Sequence, residues 1–343
     1  MNSFTSIRLS TVASCLFLLA VFVAVFVTPQ RVQAATWQAT AGAQSTDMGK
    51  QALAFLANEL WVHAGDSITW TFPTPEIHTV TFLKQDTVPQ QVRPARPGVP
   101  GGGCPGTTVD DSSFDGSKCV TSPELVNGQT YTVHFPTAGN FKLVCLVHPN
   151  MTGAVHVLPL LEVLPFDQAF YDQQAKKEQT ELLSDGSGLQ GRGTATAQRT
   201  SRDEVSAGIG EIVANGGGSS TVSVMRFLPG TTVVHVGDTV EWTNLDPVTP
   251  HTVTFGTEPA NPVPPSGGVT ADSDGALHAE LSSPTGNVHS GFIVAAPQDM
   301  TGLAQTPLGV TRFRVTFTSP GTFDYFCALH DDLGMAARVI VHP

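Results

Sequence analysis

Charge is scarce in this chain. Only 13% of its 343 residues are charged, and 17 Lys and Arg stand against 29 Asp and Glu. So few charges, with 33 Gly and 25 Pro, argue against helical bundles and for turn-rich β-structure in two domains. The formal net charge of −12 argues against a nucleic-acid partner. Familiar catalytic signatures are absent as well: there is no strand-turn-helix nucleophile motif and no phosphate-cradling glycine loop joined to a helix. Gly216-Gly-Gly218 leads into serines and a strand pattern, so it reads as a turn. Cysteine is sparse at five residues, few enough for each thiol to be assigned one task.

The first 34 residues hold two charges, Arg8 and Arg31, and the run Thr11 to Val27 carries none. Val32-Gln-Ala34 supplies small residues for cleavage, so residues 1–34 read as a secretion signal and the mature protein as extracytoplasmic, whether periplasmic, secreted or cell-surface. An apolar run of about 17 residues is also near the lower limit for a membrane span, which leaves an uncleaved N-terminal anchor as the alternative. Val12-Ala-Ser-Cys15 is not a lipoprotein box, because the apolar segment follows Cys15 instead of preceding it. Loss of the signal removes two positive charges and takes the formal charge from −12 to −14, a surface suited to a basic protein partner or simply to solubility.

Cys15 leaves with the signal. Cys104 and Cys119 flank a Gly-, Asp- and Ser-rich loop, and in an exported protein they are expected to form a disulfide. That leaves Cys145 and Cys327, each followed three residues later by a histidine and then by a methionine: Cys145-Leu-Val-His148-Pro-Asn-Met151 and Cys327-Ala-Leu-His330-Asp-Asp-Leu-Gly-Met335. The chain repeats around them. Phe55 to Trp70 aligns without a gap on Phe227 to Trp242, including Gly65-Asp66 and Gly237-Asp238 as turns between strands. His78-Thr-Val-Thr-Phe82 matches His251-Thr-Val-Thr-Phe255, placing each histidine on the core side of its strand. Val133 to Cys145 matches Val315 to Cys327, so each cysteine should emerge at the end of a buried strand carrying Phe141 and Leu143, or Phe323 and Tyr325. One thiolate, two imidazoles and one thioether form the donor set of a blue-copper site. His78, Cys145, His148 and Met151 provide one such set, and His251, Cys327, His330 and Met335 a second.

These blocks resemble the cupredoxins, the plastocyanin-like blue-copper family, over most of residues 40–158 and 205–343. The first Cys-His-Met loop is similar to that of amicyanins, and the longer second loop to those of plastocyanins and pseudoazurins. The resemblance implies an all-β fold of two tandem Greek-key β-sandwich domains. Residues 35–158 form the first and 205–343 the second, joined by a linker over 159–204 with a helix from about Asp167 to Leu183 and a flexible second half. The stretches Val88 to Val120 and Gly256 to Val288 read as surface loops.

The resemblance further implies two type 1 coppers that each cycle one electron between redox protein partners. Two-domain copper nitrite reductases and laccases offer an enzymatic alternative, with a further interdomain copper held by histidines alone. Such enzymes wire that copper to the blue site through a histidine beside its cysteine. Here the neighbours are Val144 and Leu146, then Phe326 and Ala328, and no His-x-His occurs anywhere. Of the remaining histidines, His63 and His235 read as solvent-facing strand residues, and His278 and His289 as surface-loop residues. A copper-delivery protein is the third possibility, disfavoured by two complete four-ligand sets.

Overall fold

The computed structural model describes residues 34–84, 112–200, 203–295 and 310–343, with the backbone alone for 196–200. Apart from Ala34, the expected signal falls outside these residues, as does Cys104, one half of the expected disulfide. The described residues form strands throughout, with one helix. None of their helices is long and apolar enough to cross a membrane.

The repeat in the sequence is a repeat in the pairing. Thr36–Gln44 runs parallel to Ser67–Phe72 and antiparallel to Lys50–Leu56, while Glu204–Ala214 runs parallel to Thr239–Leu245 and antiparallel to Ser219–Leu228. Glu59–His63 lies parallel to Thr152–Leu158, as Thr231–His235 does to Ala336–His342. Each of these closing strands is antiparallel to the strand that ends at a cysteine, Gly139–Val144 or Gly321–Phe326. The Gly-Asp turns are tied down by their carboxylates: Asp66 accepts from the backbone of Ala35 and His63 and from the Trp37 indole, and Asp238 from the backbone of His235.

Alternation along these strands fills two separate cores. Trp70, Phe72, Phe82 and Phe135 lie fully buried in the first, and Trp242, Phe255, Phe313 and Tyr325 in the second. Burying each such side chain stabilises the fold by about 1.5–3 kcal/mol before entropy is counted. The halves then join edge to edge. Thr221 to Val224 pair antiparallel with Leu53 to Lys50, so the central strands of both halves belong to one continuous sheet.

The second half braces both loops that follow the cysteines, and Arg226 ties its own loop to the first half. The Ser219 hydroxyl donates to the Asn150 carbonyl, and Arg226 donates to the carbonyls of Leu333 and Asp47.

The helix departs from expectation. It spans Gln168–Thr200, so the stretch read as a flexible linker half is helical. Asp167 caps its start through a bond from the Phe170 N–H, and Tyr171 anchors it by accepting from the backbone N–H of Trp61 and donating to the Trp61 carbonyl. Its glycines favour coil by propensity, but packing decides. Leu182 and Leu189 are buried against Ala52, Ala54, Val222 and Val224. On the same face, a methyl group at Gly186 would lie 2.8 Å from Val222, and one at Gly193 2.8 Å from Leu228. The glycines are therefore where the helix comes closest to the sheet. A second correction concerns Gly256 to Val288, read as loop, where Leu277–Leu281 forms a strand parallel to Arg312–Phe317.

Candidate metal centres

In each half a short pairing brings the upstream histidine to the cysteine strand. The backbone of His78 exchanges hydrogen bonds with Leu125, and that of His251 with Ile293. Thr81–Phe82 and Thr254–Phe255 then pair with the ends of the cysteine strands. The Cys-His-Met loops close on themselves: the Cys145 N–H donates to the Met151 carbonyl and the Met151 N–H to His148, and Cys327, Met335 and His330 repeat the pattern.

Three side chains therefore converge at each site. His78, Cys145 and His148, and equally His251, Cys327 and His330, place their donor atoms within 4.8 Å of one another, and all six are buried. In the first set the two Nδ1 atoms are 3.1 Å apart and Cys145 Sγ is 3.9 Å from His148 Nδ1. In the second the Nδ1 atoms are 3.2 Å apart and Cys327 Sγ lies 3.9 and 3.4 Å from His251 and His330. Imidazole nitrogens bind transition metals at about 2.0–2.1 Å, so two of them on one ion stand roughly 3–3.5 Å apart. The donors fit a shared ion in type and spacing. Met151 and Met335 are fully buried in the loops that carry these histidines.

Hydrogen bonds hold the thiolates. The backbone N–H of Thr79 reaches Cys145 Sγ at 3.4 Å and that of Thr252 reaches Cys327 Sγ at 3.3 Å. Each threonine hydroxyl accepts in turn from the residue after the cysteine, Leu146 or Ala328, at 2.8 and 2.7 Å. The face of the His-Thr-Val-Thr segment opposite the histidine is thus buried and engaged as well.

Burial opposes ionisation of Cys145, but the hydrogen bonds and positive charge of His148 and His78 outweigh it and hold the thiol well below its usual range. Cys327 is lowered in the same way by His330 and His251. Burial would depress the histidines, yet Cys145 and Glu76 raise His148 to about 10, and Asp246 and Cys327 raise His251 to about 9. These are metal-free values, and they describe sites built to hold positive charge beside a thiolate.

The sequence reading missed four contributors. Glu76, two residues before His78, is buried with Oε1 3.1 Å from His148 Nε2. Asp246 sets Oδ2 3.9 Å from His251 Nε2 while Oδ1 accepts from the Val248 and Thr249 N–H groups. Gly42 and Gly208 sit at bulges in the first strand of each half, with φ of +82° and +81°, and an added methyl group would collide with the Nε2 edge of His78 or His251. Ala41-Gly42 and Ala207-Gly208 are a shared signal, but the hairpin that follows is longer in the second half and puts them out of register.

Of the other histidines, His289 and His278 are not surface-loop residues. His289 is buried, with its ring nitrogens on the Thr254 hydroxyl and the Pro262 carbonyl, and half-buried His278 engages Asp272 and Thr316. His63 is half-buried and bonds the Glu162 carbonyl at 2.7 Å, whereas His235 is exposed as expected. Among the described residues, neither joins a metal-binding group.

The family described as copper binding proteins of the plastocyanin/azurin family matches this chain twice, over residues 42–158 and 213–342. The chain belongs to that family. Both matched spans contain one complete set of converging side chains, so the cupredoxin resemblance holds for both halves. Amicyanin-alpha of Methylorubrum extorquens is 29% identical over 117 residues, which cover 34% of this chain and 75% of the amicyanin. Among solved structures, a mutant plastocyanin of fern is similar at 20% identity, covering 40% of this chain and 98% of its own, with a TM-score of 0.22. A Cu-containing nitrite reductase from Thermus scotoductus covers 90% of this chain and 98% of its own at 11% identity and a TM-score of 0.33.

Proposed function

We propose that this protein is an exported electron carrier with two type 1 copper sites, ligated by His78, Cys145, His148 and Met151 and by His251, Cys327, His330 and Met335. The observation that carries this reading is the doubled, buried convergence of one thiolate and two Nδ1 atoms, each on a loop that also holds a buried methionine. A thiolate and a thioether suit Cu(I) and imidazole suits both oxidation states, so such a site passes one electron with little rearrangement. The chain's part is to fix the donors before the metal arrives. The Thr79 and Thr252 N–H groups hold the thiolates, the glycine bulges set the upstream histidine rings, and aromatic neighbours such as Phe82, Phe255 and Tyr325 keep water away.

Carrier is favoured over oxidase by the other histidines. Neither Cys145 nor Cys327 has an adjacent histidine to lead electrons to another copper, and among the described residues the other histidines join no metal-binding group. Export follows from the N-terminal segment, and the Cys104–Cys119 disulfide belongs to the same proposal. The test is turnover. Reduced, copper-loaded protein should consume neither oxygen nor nitrite catalytically while exchanging electrons with small redox mediators; sustained consumption of either would make it an enzyme.

A further inference from the structure

The residues that set the two sites apart also bring them together. Glu76 comes from the loop that delivers His78, and its carboxylate reaches across the junction between the halves. Oε1 is 3.1 Å from His148 Nε2 of the first site, and Oε2 is 3.9 Å from His330 Nε2 of the second. All three side chains are buried: Glu76 is 8% exposed, His148 3% and His330 5%. When Nδ1 binds the metal, Nε2 keeps its proton and needs an acceptor, which in metal sites is commonly a carboxylate. One carboxylate here lies at hydrogen-bond distance from one such nitrogen and 3.9 Å from the other, and the two belong to different sites.

Counting back from the matched histidines puts Thr249 at the position of Glu76, so the second half supplies no equivalent. The junction is a single bridge.

We propose that Glu76 is the internal electron bridge of the molecule: its carboxylate links His148 and His330, and an electron that enters at either site equilibrates with the other through these three side chains. The exchange moves one electron, so that one copper is oxidised from Cu(I) to Cu(II) as the other is reduced. Both Nε2 protons stay where they are, and no co-reactant is needed. The ring edges of His148 and His330 are turned toward each other and away from solvent, so exchange with outside partners has to use other surfaces. The two halves thus act as one two-electron unit instead of two independent carriers on one chain.

This inference rests on the two-copper reading, and the experiment separates their failures. Copper content and electron paramagnetic resonance spectra of the wild type, Cys145→Ser and Cys327→Ser come first; fewer than two blue centres in the wild type would end the reading and the bridge together. With both centres present, a light-triggered donor delivers less than one electron per molecule, and freeze-quenched spectra follow its distribution against the two single-site references. Redistribution should be first order and independent of protein concentration, at least tenfold slower in Glu76→Ala, and largely recovered in Glu76→Gln, which keeps an acceptor oxygen. Nuclear magnetic resonance of the Cu(I) protein gives a readout apart from electron flow. The Nε2–H protons of His148 and His330 should be slow to exchange with solvent, should both shift in Glu76→Ala, and should largely return in Glu76→Gln. Redistribution that depends on protein concentration, or that runs at the same rate in Glu76→Ala, overturns the bridge and leaves the two-copper assignment standing.

Discussion

The two centres share a frame and differ in their carboxylates. Both are built from a strand-end cysteine, a histidine on an adjoining segment and a loop closed by a buried methionine, and their Nδ1 separations agree to 0.1 Å, at 3.1 and 3.2 Å. In the first centre the carboxylate sits on the loop histidine, His148, while the Nε2 edge of His78 lies against Gly42 and meets no hydrogen-bond partner. In the second, the Nε2 edge of the upstream histidine, His251, likewise lies against a glycine, Gly208, without a hydrogen bond, but the Asp246 carboxylate stands 3.9 Å from it, and the loop histidine His330 turns toward Glu76 of the other half. Matching strand pairings thus carry different electrostatics. Duplication preserved the strand pairings that place the donors, and the polar residues behind the histidines are free to set each centre apart.

The largest expected effect separates the centres outright. Cys145→Ser and Cys327→Ser should each abolish one thiolate-to-copper absorption band and leave the other, with the double variant colourless in the visible; loss of both bands from either single variant would mean that the sites are not independent units. Next come the glycine bulges. Gly42→Ala and Gly208→Ala force a side chain into left-handed backbone and into a histidine ring, at a cost of about 1–3 kcal/mol in denaturant unfolding, with the spectrum of only the adjacent centre altered.

Asp246→Asn should lower copper affinity about 10–100-fold at the second centre alone, read by competition with a Cu(I) chelator. An equal loss at the first centre would break the asymmetry described above.

Smaller still is the acid response of the metal-free protein. Burial works against ionisation of Glu76, but His148, His330 and His78 hold its pKa at about 2 against an ordinary 4.5. A depressed carboxylate pKa stabilises the folded state fully above the unfolded value, so this contribution should fade as the pH drops from about 4.5 toward 2. Urea unfolding across that window should show a shallower loss in Glu76→Gln than in the wild type. The smallest effect on the centres is expected from the helix face: Gly193→Leu should wedge the helix off Leu228, cost about 1–3 kcal/mol, and leave both copper spectra unchanged.

The strand frame and the converging donors were legible because both rest on short-range signals: alternation with a period of two, Gly-Asp turns, and a Cys-His-Met spacing that appears twice. The full helix was not, since Gly186, Gly188, Gly191 and Gly193 read as coil until the alanines and valines of the sheet beneath them are known. Glu76 was hidden for a different reason. Its partners lie at residues 148 and 330, and no local pattern marks a carboxylate whose role depends on how the two halves dock. His289 misled in the same way, because a Pro- and Gly-rich context hid the pairing of Val288–His289 with Thr254–Phe255 that buries it.

The central claim is that one chain carries two complete blue-copper centres. Metal analysis of the mature protein, combined with its optical and electron paramagnetic resonance spectra, tests this directly. Two coppers per chain are expected, both with the narrow hyperfine splitting and strong visible absorption of a copper thiolate. A single copper, or an additional copper without the blue band, would contradict it.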